Sequence, residues 1–268
     1  MASSPRSAAA ALACLALAAC QTTQPTAVAD TTGSVGPAAS LPASSSGSTE
    51  PRREVDAVGA LYRADPGNAE VAIRYAAALR AIGERAQASA VLEQASIKHP
   101  HNKAVLGAYG RALADAGHYA QAFEMLGRAH TPDQPDWRIL SVQGAVLDQM
   151  GRHEEARRYY ASALKLAPED PSVLSNLGLS YALSKNLQQA ESILRRAAAG
   201  PGAEPRVRQN LALVVGLQGR YQEAEDIARA DLPPEQAAAN VAYLREMLSG
   251  KRDWKKLHAG ADAAANGS

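Results

Sequence analysis

The segment at residues 148–170, DQMGRHEEARRYYASALKLAPED, decides the fold. Glycine most easily takes the left-handed conformation that ends a helix, and proline stops one, so we expect turns at Gly151 and Pro168 with a helix between them. Glu154 and Glu155 open this helix, where negative charge complements the helix dipole. We therefore interpret these two carboxylates as structural and not catalytic.

The same pattern recurs every 34 residues along the chain. The turn column reads Gly83, Gly117, Gly151, Lys185 and Gly219. Lys185 departs from it, and we expect the following Asn186 to take the left-handed conformation instead. Seven residues before each turn stand the small residues Ala76, Gly110, Gly144, Gly178 and Ala212, and five after it stand Ala88, Ala122, Ala156, Ala190 and Ala224. Two helices that cross closely at these small residues are predicted, with Leu92, Leu126, Tyr160 and Leu194 filling the space between repeats.

A 34-residue period with these small and large positions resembles the tetratricopeptide repeat. The resemblance implies an all-α, helix–turn–helix solenoid of about five repeats plus a capping helix. The repeats would be Ala69–Asn102, Lys103–Asp136, Trp137–Asp170, Pro171–Glu204 and Pro205–Ala238. A lone second helix is expected near Val55–Arg63 before them, and an amphipathic capping helix at Ala239–Ser249 after them.

The N-terminal segment is typical of a secreted protein. The apolar run Ala8–Ala19 is shorter than the ~20 residues that a spanning helix needs, and it has the length of a signal-peptide core. Leu17-Ala18-Ala19-Cys20 resembles the bacterial lipobox, which implies cleavage before Cys20 and acyl chains on its sulfur. Gln21 is not the aspartate associated with inner-membrane retention, so we expect the periplasmic face of the outer membrane. One alternative is an ordinary secretory signal in which Cys20 is incidental. A metal or redox site of Cys14 and Cys20 is the other, and it is disfavoured because Cys14 lies in the apolar run that cleavage would remove.

Four regions follow from these patterns. Residues 1–19 are the expected signal peptide, and residues 20–53, rich in Ser, Thr, Pro and Gly, are the expected disordered tether. Residues 54–249 would form the repeats with their cap, and residues 250–268 a flexible tail.

Composition and motifs give little support to catalysis or to nucleic-acid binding. With 28 Lys and Arg against 27 Asp and Glu, the chain has no general basic excess for nucleic acid. There is no phosphate-binding glycine loop and no nucleophile elbow. His99 and His101 flank a predicted turn, and a metal would need further ligands there. We therefore expect neither an enzyme, nor a metal, nor another cofactor; the one enzymatic alternative is a metal site at His99 and His101.

The resemblance to the tetratricopeptide repeat also implies a protein-binding groove lined by the first helix of each repeat. The positions that face it in the family correspond here to Arg80, Arg111, Asp115, Arg138, Ser141, Asp148, Ser175, Asn176, Leu179, Arg206, Gln209, Asn210 and Leu213. A carboxylate clamp of the chaperone-binding kind is not expected, because Ile73, Ala77 and Ala145 stand where it needs polar groups.

The lipobox, the tether, the repeats and the terminal segment NVAYLREML together resemble the TadD-type lipoproteins of the tight-adherence (Flp pilus) assembly system. That resemblance implies a pilotin-like scaffold at the outer membrane, binding the pilus secretin or another assembly component in the groove. The alternative is a repeat lipoprotein of another envelope machine, for type IV pilus secretin assembly, outer-membrane protein insertion or cell-wall synthesis.

Overall fold

The computed structural model describes residues 49–265 of the chain, with side chains over residues 50–250. Within this range it contains twelve α-helices and no β-strand, in two compact units that divide after Thr131. Unit 1 contains α1 Thr49–Ala64, α2 Ala69–Ala81, α3 Arg85–Lys98, α4 Lys103–Asp115 and α5 Tyr119–Arg128. Unit 2 contains α6 Trp137–Gln149, α7 His153–Leu166, α8 Pro171–Leu183, α9 Leu187–Ala199, α10 Pro205–Leu217, α11 Tyr221–Ala228 and α12 Pro234–Ala265.

Five helix pairs, from α2–α3 to α10–α11, coincide with the five predicted repeats and confirm the fold class. The first helix of each of the first four repeats begins after a residue whose side chain accepts backbone N–H groups: Asn68, Asn102, Asp136 and Asp170. Such caps satisfy donors that a helix start leaves without an internal partner. The fifth first helix, α10, begins instead with proline at its first turn.

The turns inside the repeats confirm the glycine column. Gly83, Gly117, Gly151 and Gly219 have φ of 84°, 85°, 75° and 86°. In the fourth repeat the expectation for Asn186 is wrong, because Lys185 itself takes the left-handed conformation at φ 65°. Asn186 has φ −87° and caps α9 by accepting the Gln189 N–H at 3.2 Å. The asparagine is therefore used for its side chain and not for its backbone.

The column of small residues marks the closest approach of the two helices in a repeat. A Cβ at Gly110 would lie 2.6 Å from Leu126 Cγ, one at Gly144 2.6 Å from the Tyr160 ring, and one at Gly178 2.7 Å from Leu194 Cγ. The large residues thus pack first on their own repeat. Leu194 also reaches the next repeat, where it joins the buried cluster of Leu211, Val214 and Val215. Leu194 therefore stabilises the packing of its own helix pair and that of the next first helix together.

The two ends of the described range differ from the expected boundaries. Helix α1 begins at Thr49, inside the span assigned to the tether, and α12 begins at Pro234 and continues to Ala265, past Ser249. None of the helices in the described range is both long and apolar enough to cross a membrane. The signal peptide, most of the tether and the lipidation site Cys20 lie outside the described residues, so those assignments stay predictions.

Candidate protein-binding face

All thirteen residues predicted to line a groove lie on the first helices of the repeats, α2, α4, α6, α8 and α10. We call the surface they define the first-helix face, and describe it separately for each unit. Their exposure differs widely. Asp115, Arg138 and Arg206 are exposed; Arg80, Arg111, Asn176, Leu179, Gln209, Asn210 and Leu213 are partly buried; Ser141, Asp148 and Ser175 are buried.

In unit 1 two residues of the first-helix face are partners of each other. Arg80 Nε of α2 donates to Asp115 Oδ2 of α4, in the next repeat. Both side chains keep about a third of their surface exposed, at 32% and 37%. The pair therefore joins consecutive first helices and remains open to solvent. Arg111 lies one turn before Asp115 on the same helix.

In unit 2 serine and asparagine join the first helices. Asn176 Nδ2 of α8 donates to Ser141 Oγ of α6 at 3.1 Å. One repeat later, Asn210 Nδ2 of α10 donates to Ser175 Oγ of α8 at 2.9 Å. Because Ser141 and Ser175 are buried, they do not face a partner as the sequence suggested. They fix the orientation of the two asparagine carboxamides, which are only partly buried.

Each of these carboxamides retains hydrogen-bonding capacity. A carboxamide has one carbonyl acceptor and two N–H donors, and the serine uses one donor. No group among the described residues donates to the carbonyl oxygen of Asn176 or Asn210. Leu179 and Leu213 follow the asparagines by one turn on the same helices and are also partly buried. The first-helix face of unit 2 thus combines oriented amide groups with aliphatic surface.

Asp148 is buried, so its assignment to the open face is wrong in this structure. Only 8% of the residue is exposed. Its Oδ2 accepts Tyr160 OH at 2.9 Å, and its Oδ1 accepts Ser180 Oγ at 2.8 Å and lies 2.8 Å from His153 Nδ1. Burial, with the Asp148 charge and hydrogen bond, raises the pKa of Tyr160 well above 10. The carboxylate links three helices, α6, α7 and α8.

Sequence reasoning did not find this polar cluster, although its signal is present. Tyr160 stands in the column otherwise occupied by Leu92, Leu126 and Leu194, and its ring fits because Gly144 has no side chain. A hydroxyl in a buried column needs a partner, since an unpaired buried polar group is costly. That requirement points to a polar residue nearby on the first helix, which is Asp148.

A second unpredicted cluster joins the fourth and fifth repeats. Glu191 of α9 accepts Gln218 Nε2 at 2.7 Å, Arg195 Nη2 at 2.7 Å and Arg220 Nη1 at 2.7 Å. Arg195 and Arg220 also bind Glu223 of α11, each at 2.5 Å. Burial alone would raise the pKa of Glu191, but the hydrogen bonds from Gln218, Arg195 and Arg220 outweigh it and lower the pKa from 4.5 to about 2.

His99 and His101 lie in the turn between α3 and α4, as predicted. His99 Nε2 lies 2.7 Å from the carbonyl oxygen of Gly67, a residue of the turn between α1 and α2, and His101 is exposed. Over the part of the chain that the structure describes, no three His, Cys, Asp or Glu residues are grouped closely enough to bind a metal ion.

Two segments match family models described as tetratricopeptide repeat, at residues 55–111 and 142–204. No curated protein sequence is significantly similar to the chain. Both matched segments contain complete helix pairs of the predicted register, one in each unit.

Several solved structures are similar in fold. The tetratricopeptide-repeat protein TTC0263 of Thermus thermophilus superposes with a TM-score of 0.59 and 22% identity, covering 66% of this chain and 98% of that one. PilF of Pseudomonas aeruginosa gives 0.54 and 20%, covering 72% and 97%. A chain of the APC/C hetero-tetramer Cut9–Hcn1 gives 0.57 and 18%, covering 75% of this chain but 41% of that one. At these identities the likeness establishes the fold alone.

Proposed function

Because the described helices fold as tetratricopeptide-repeat pairs, we propose that the chain is a binding scaffold whose first-helix face takes up an extended segment of a protein partner. We further propose that it works as an outer-membrane, lipid-anchored and pilotin-like component in the assembly of the Flp (Tad) pilus secretion machinery. The partner is then the pilus secretin or another assembly component, and the protein acts by binding and not by catalysis.

The observation that carries the binding proposal is the pair Asn176 and Asn210. The two occupy the same register position on consecutive first helices, and each is oriented by a buried serine. Packed helices lie about 8–10 Å apart, and an extended chain advances about 3.3 Å per residue. The two carboxamides are therefore spaced to pair with peptide groups about three residues apart on an extended segment.

The chemistry of the neighbouring residues indicates what that segment contains. Leu179 and Leu213 offer aliphatic surface one turn after each asparagine, and the charged residues Arg138 and Arg206 stand at the starts of their helices. An acidic C-terminus is disfavoured as a ligand, because Ala145 replaces a polar group that a carboxylate clamp would use. An uncharged, aliphatic and extended stretch fits best.

The pilus assignment rests on sequence features outside the repeats. These are the lipobox Leu17-Ala18-Ala19-Cys20 and the terminal segment NVAYLREML. Two or more acyl chains anchor a protein stably to a membrane, so modification of Cys20 would confine the repeats to the membrane surface. A scaffold of another envelope machine has the same requirements and is the second candidate.

Binding can be tested by capture of the Flp secretin from solubilised envelopes on the immobilised chain. We expect the double variant Asn176→Ala and Asn210→Ala to lose most of the captured secretin. The control is Gln188→Ala, which removes an exposed carboxamide on the second helix α9, outside the first-helix face. Equal capture by the double variant would exclude this face as the binding surface, and absence of the secretin from wild-type captures would exclude the pilus assignment.

The anchor has a separate test. Mass spectrometry of the mature N-terminus from membranes should find a peptide that begins at Cys20 and carries acyl chains. The variant Cys20→Ser should leave the membrane fraction. An unmodified cysteine at that position would contradict the lipoprotein assignment without affecting the binding face.

A further inference from the structure

The second half of α12 differs in composition from the half that packs on the repeats. In the first half Val241 and Leu244 are buried, and Leu244 lies against Gly216 of α10. Leu248, one turn after Leu244 on the same side, is partly buried. The helix then continues through residues 251–265 with the sequence KRDWKKLHAGADAAA. The aliphatic positions that hold α12 on the repeats thus end at Leu248.

Basic residues follow on the same side of α12 after residue 250. Lys251 and Lys255 come 7 and 11 residues after the buried Leu244, spacings that keep residues on one side of an α-helix. Charged residues are rarely buried unless they are paired, so we expect the packing on the repeats to stop before them. Asp253 is the one acidic residue in the sequence 251–261. We call the following four residues the basic strip: Lys251, Arg252, Lys255 and Lys256.

The opposite side of α12 carries an apolar row. It begins with Tyr243, which is 58% exposed, and the partly buried Met247. Trp254, Leu257 and Ala261 continue it at helical spacings of three, four and seven residues. At about 100° per residue, the centre of the row lies roughly 150° around the helix from the centre of the basic strip. The helix after residue 250 is therefore basic on one side and apolar on the other.

We propose that residues 251–261 dock in the headgroup layer of a membrane that contains anionic phospholipid. A helix with Lys and Arg on one side and Trp and Leu on the other lies along a membrane interface, with its apolar side towards the acyl chains and its cations among the phosphates. Tryptophan is favoured at this depth because its ring is apolar and its N–H is polar. Each Lys or Arg close to an anionic surface strengthens binding about fivefold.

A second copy of the chain fits the apolar row less well. The row has the alternating three- and four-residue spacing of a coiled coil, but Gly250 interrupts it, and Ala261 is too small to fill a helix–helix core. Pairing of two such rows would also leave the four cations of the basic strip in water. An anionic lipid surface uses both sides of the helix.

This docking requires neither the first-helix face nor the modification of Cys20, so it and the proposed function can fail separately. Binding through a basic strip is reversible and is screened by salt over about 10 Å at 0.1 M. It does not replace the acyl chains, and Cys20→Ser should still leave membranes that are washed with salt.

Vesicle binding tests the proposal on the mature chain from residue 20 on, with Cys20→Ser so that no acyl chain contributes. We expect the chain to sediment with vesicles of phosphatidylcholine and phosphatidylglycerol, to stay in solution with phosphatidylcholine alone, and to be released by salt. Trp137→Phe leaves Trp254 as the single tryptophan of the chain. Its fluorescence should shift to shorter wavelength when the phosphatidylglycerol vesicles are added, because the indole leaves water.

Two sets of substitutions separate the two sides of the helix. Changing all four residues of the basic strip to Gln should weaken binding at least about tenfold. Trp254→Ser with Leu257→Ser should also weaken it, although every cation remains. The matched control removes the same charge from unit 1 by changing four exposed arginines to Gln, and it should bind like the parent chain; these are Arg53, Arg63, Arg74 and Arg85.

Equal sedimentation with both kinds of vesicle would overturn the proposal. Unchanged binding by the basic-strip variant, or an equal loss in the unit 1 control, would do so as well. Sedimentation velocity without vesicles addresses the other occupant. A dimer that Trp254→Ser with Leu257→Ser dissociates would assign the apolar row to a second copy, and lipid docking would then be wrong.

Discussion

Lys185 occupies a backbone conformation that glycine occupies at four equivalent turns. A side chain at φ 65° is strained by about 1 kcal/mol, and the residue is exposed, so its side chain offers no buried contact in return. We expect Lys185→Gly to stabilise the protein by about 0.5–1 kcal/mol, as measured by chemical denaturation. The reverse change at an equivalent turn, Gly151→Ala, should destabilise by a similar amount. A less stable Lys185→Gly variant would contradict this account.

Gly144 is the residue at which added volume should cost most. A Cβ there would overlap the Tyr160 ring at 2.6 Å, and the ring cannot shift freely because its hydroxyl donates to buried Asp148. Gly144→Ala should therefore destabilise by about 1–3 kcal/mol, the usual cost of overpacking a core. Gly250→Ala is the control, since its Cβ would meet nothing within 4 Å. If the two variants have equal free energies of unfolding, α6 and α7 can move apart without loss of stability.

For single residues, the sequence predicts which positions need a small side chain better than it predicts which polar side chains are exposed. The column containing Gly144 was identified because a close helix crossing needs small residues whatever surrounds it. Ser141 and Ser175 were assigned to open surface, yet each is covered by an asparagine 35 residues later. Asp148 is buried by Tyr160 of its own helix pair and by Ser180 of the next one. Burial of a polar side chain depends on which residues stand opposite it in these helices, and the repeat register alone does not specify them.

The network around Glu191 makes the junction of α9 with α10 and α11 sensitive to acid. Its pKa in the folded protein, about 2, is lower than the ordinary 4.5, so the unfolded chain binds a proton more readily. The stabilisation is complete above about pH 4.5 and is lost as the pH falls from there towards 2. We expect this stabilisation to be about 1–2 kcal/mol, less than the full shift in the pKa of Glu191 implies, because water screens the charges of the partly exposed arginines.

The corresponding measurement is the midpoint of thermal unfolding between pH 6 and pH 2.5. We expect Glu191→Gln to destabilise the protein at pH 6 and to flatten the fall in the midpoint below pH 4.5. Glu50→Gln, an exposed carboxylate in α1, is the control and should keep the wild-type slope. If Glu191→Gln loses stability with acid as steeply as the wild type, the network does not contribute the pH dependence.

At the scale of helices, the interior repeats were predictable and the ends were not. Between Ala69 and Leu217 each first helix has a capping residue or proline at its start, and each turn has its left-handed residue. Helix α11 is only eight residues long and ends at Ala228, where the part-buried pair Arg208–Asp231 ties the following loop to α10. The capping helix α12 begins at Pro234, before the predicted start at Ala239, and its Leu244 packs at Gly216 of α10.

In the chain as a whole, the repeats determine the fold, whereas the proposed membrane location depends on the N-terminal segment. The 34-residue period predicts the helices because each repeat can bury its small-residue column only against a neighbour. The proposed anchor at Cys20 lies outside the described residues and rests on a short sequence motif. The described helices therefore support binding, while the lipid anchor can be tested only through the N-terminus.

The repeat organisation also predicts how far along the chain a destabilising substitution increases local opening. In an array stabilised by nearest-neighbour contacts, a destabilised repeat opens locally before the whole chain unfolds. Gly110→Ala, whose Cβ would lie 2.6 Å from Leu126 Cγ, should accelerate amide hydrogen exchange in α4 and α5 of unit 1. Helices α8 to α10 of unit 2 should keep their wild-type protection, and Gly178→Ala, with the same kind of overlap against Leu194, should give the converse pattern. Mass spectrometry after timed exchange measures both variants, and an equal rise in exchange along the entire chain would mean that the two units unfold as one.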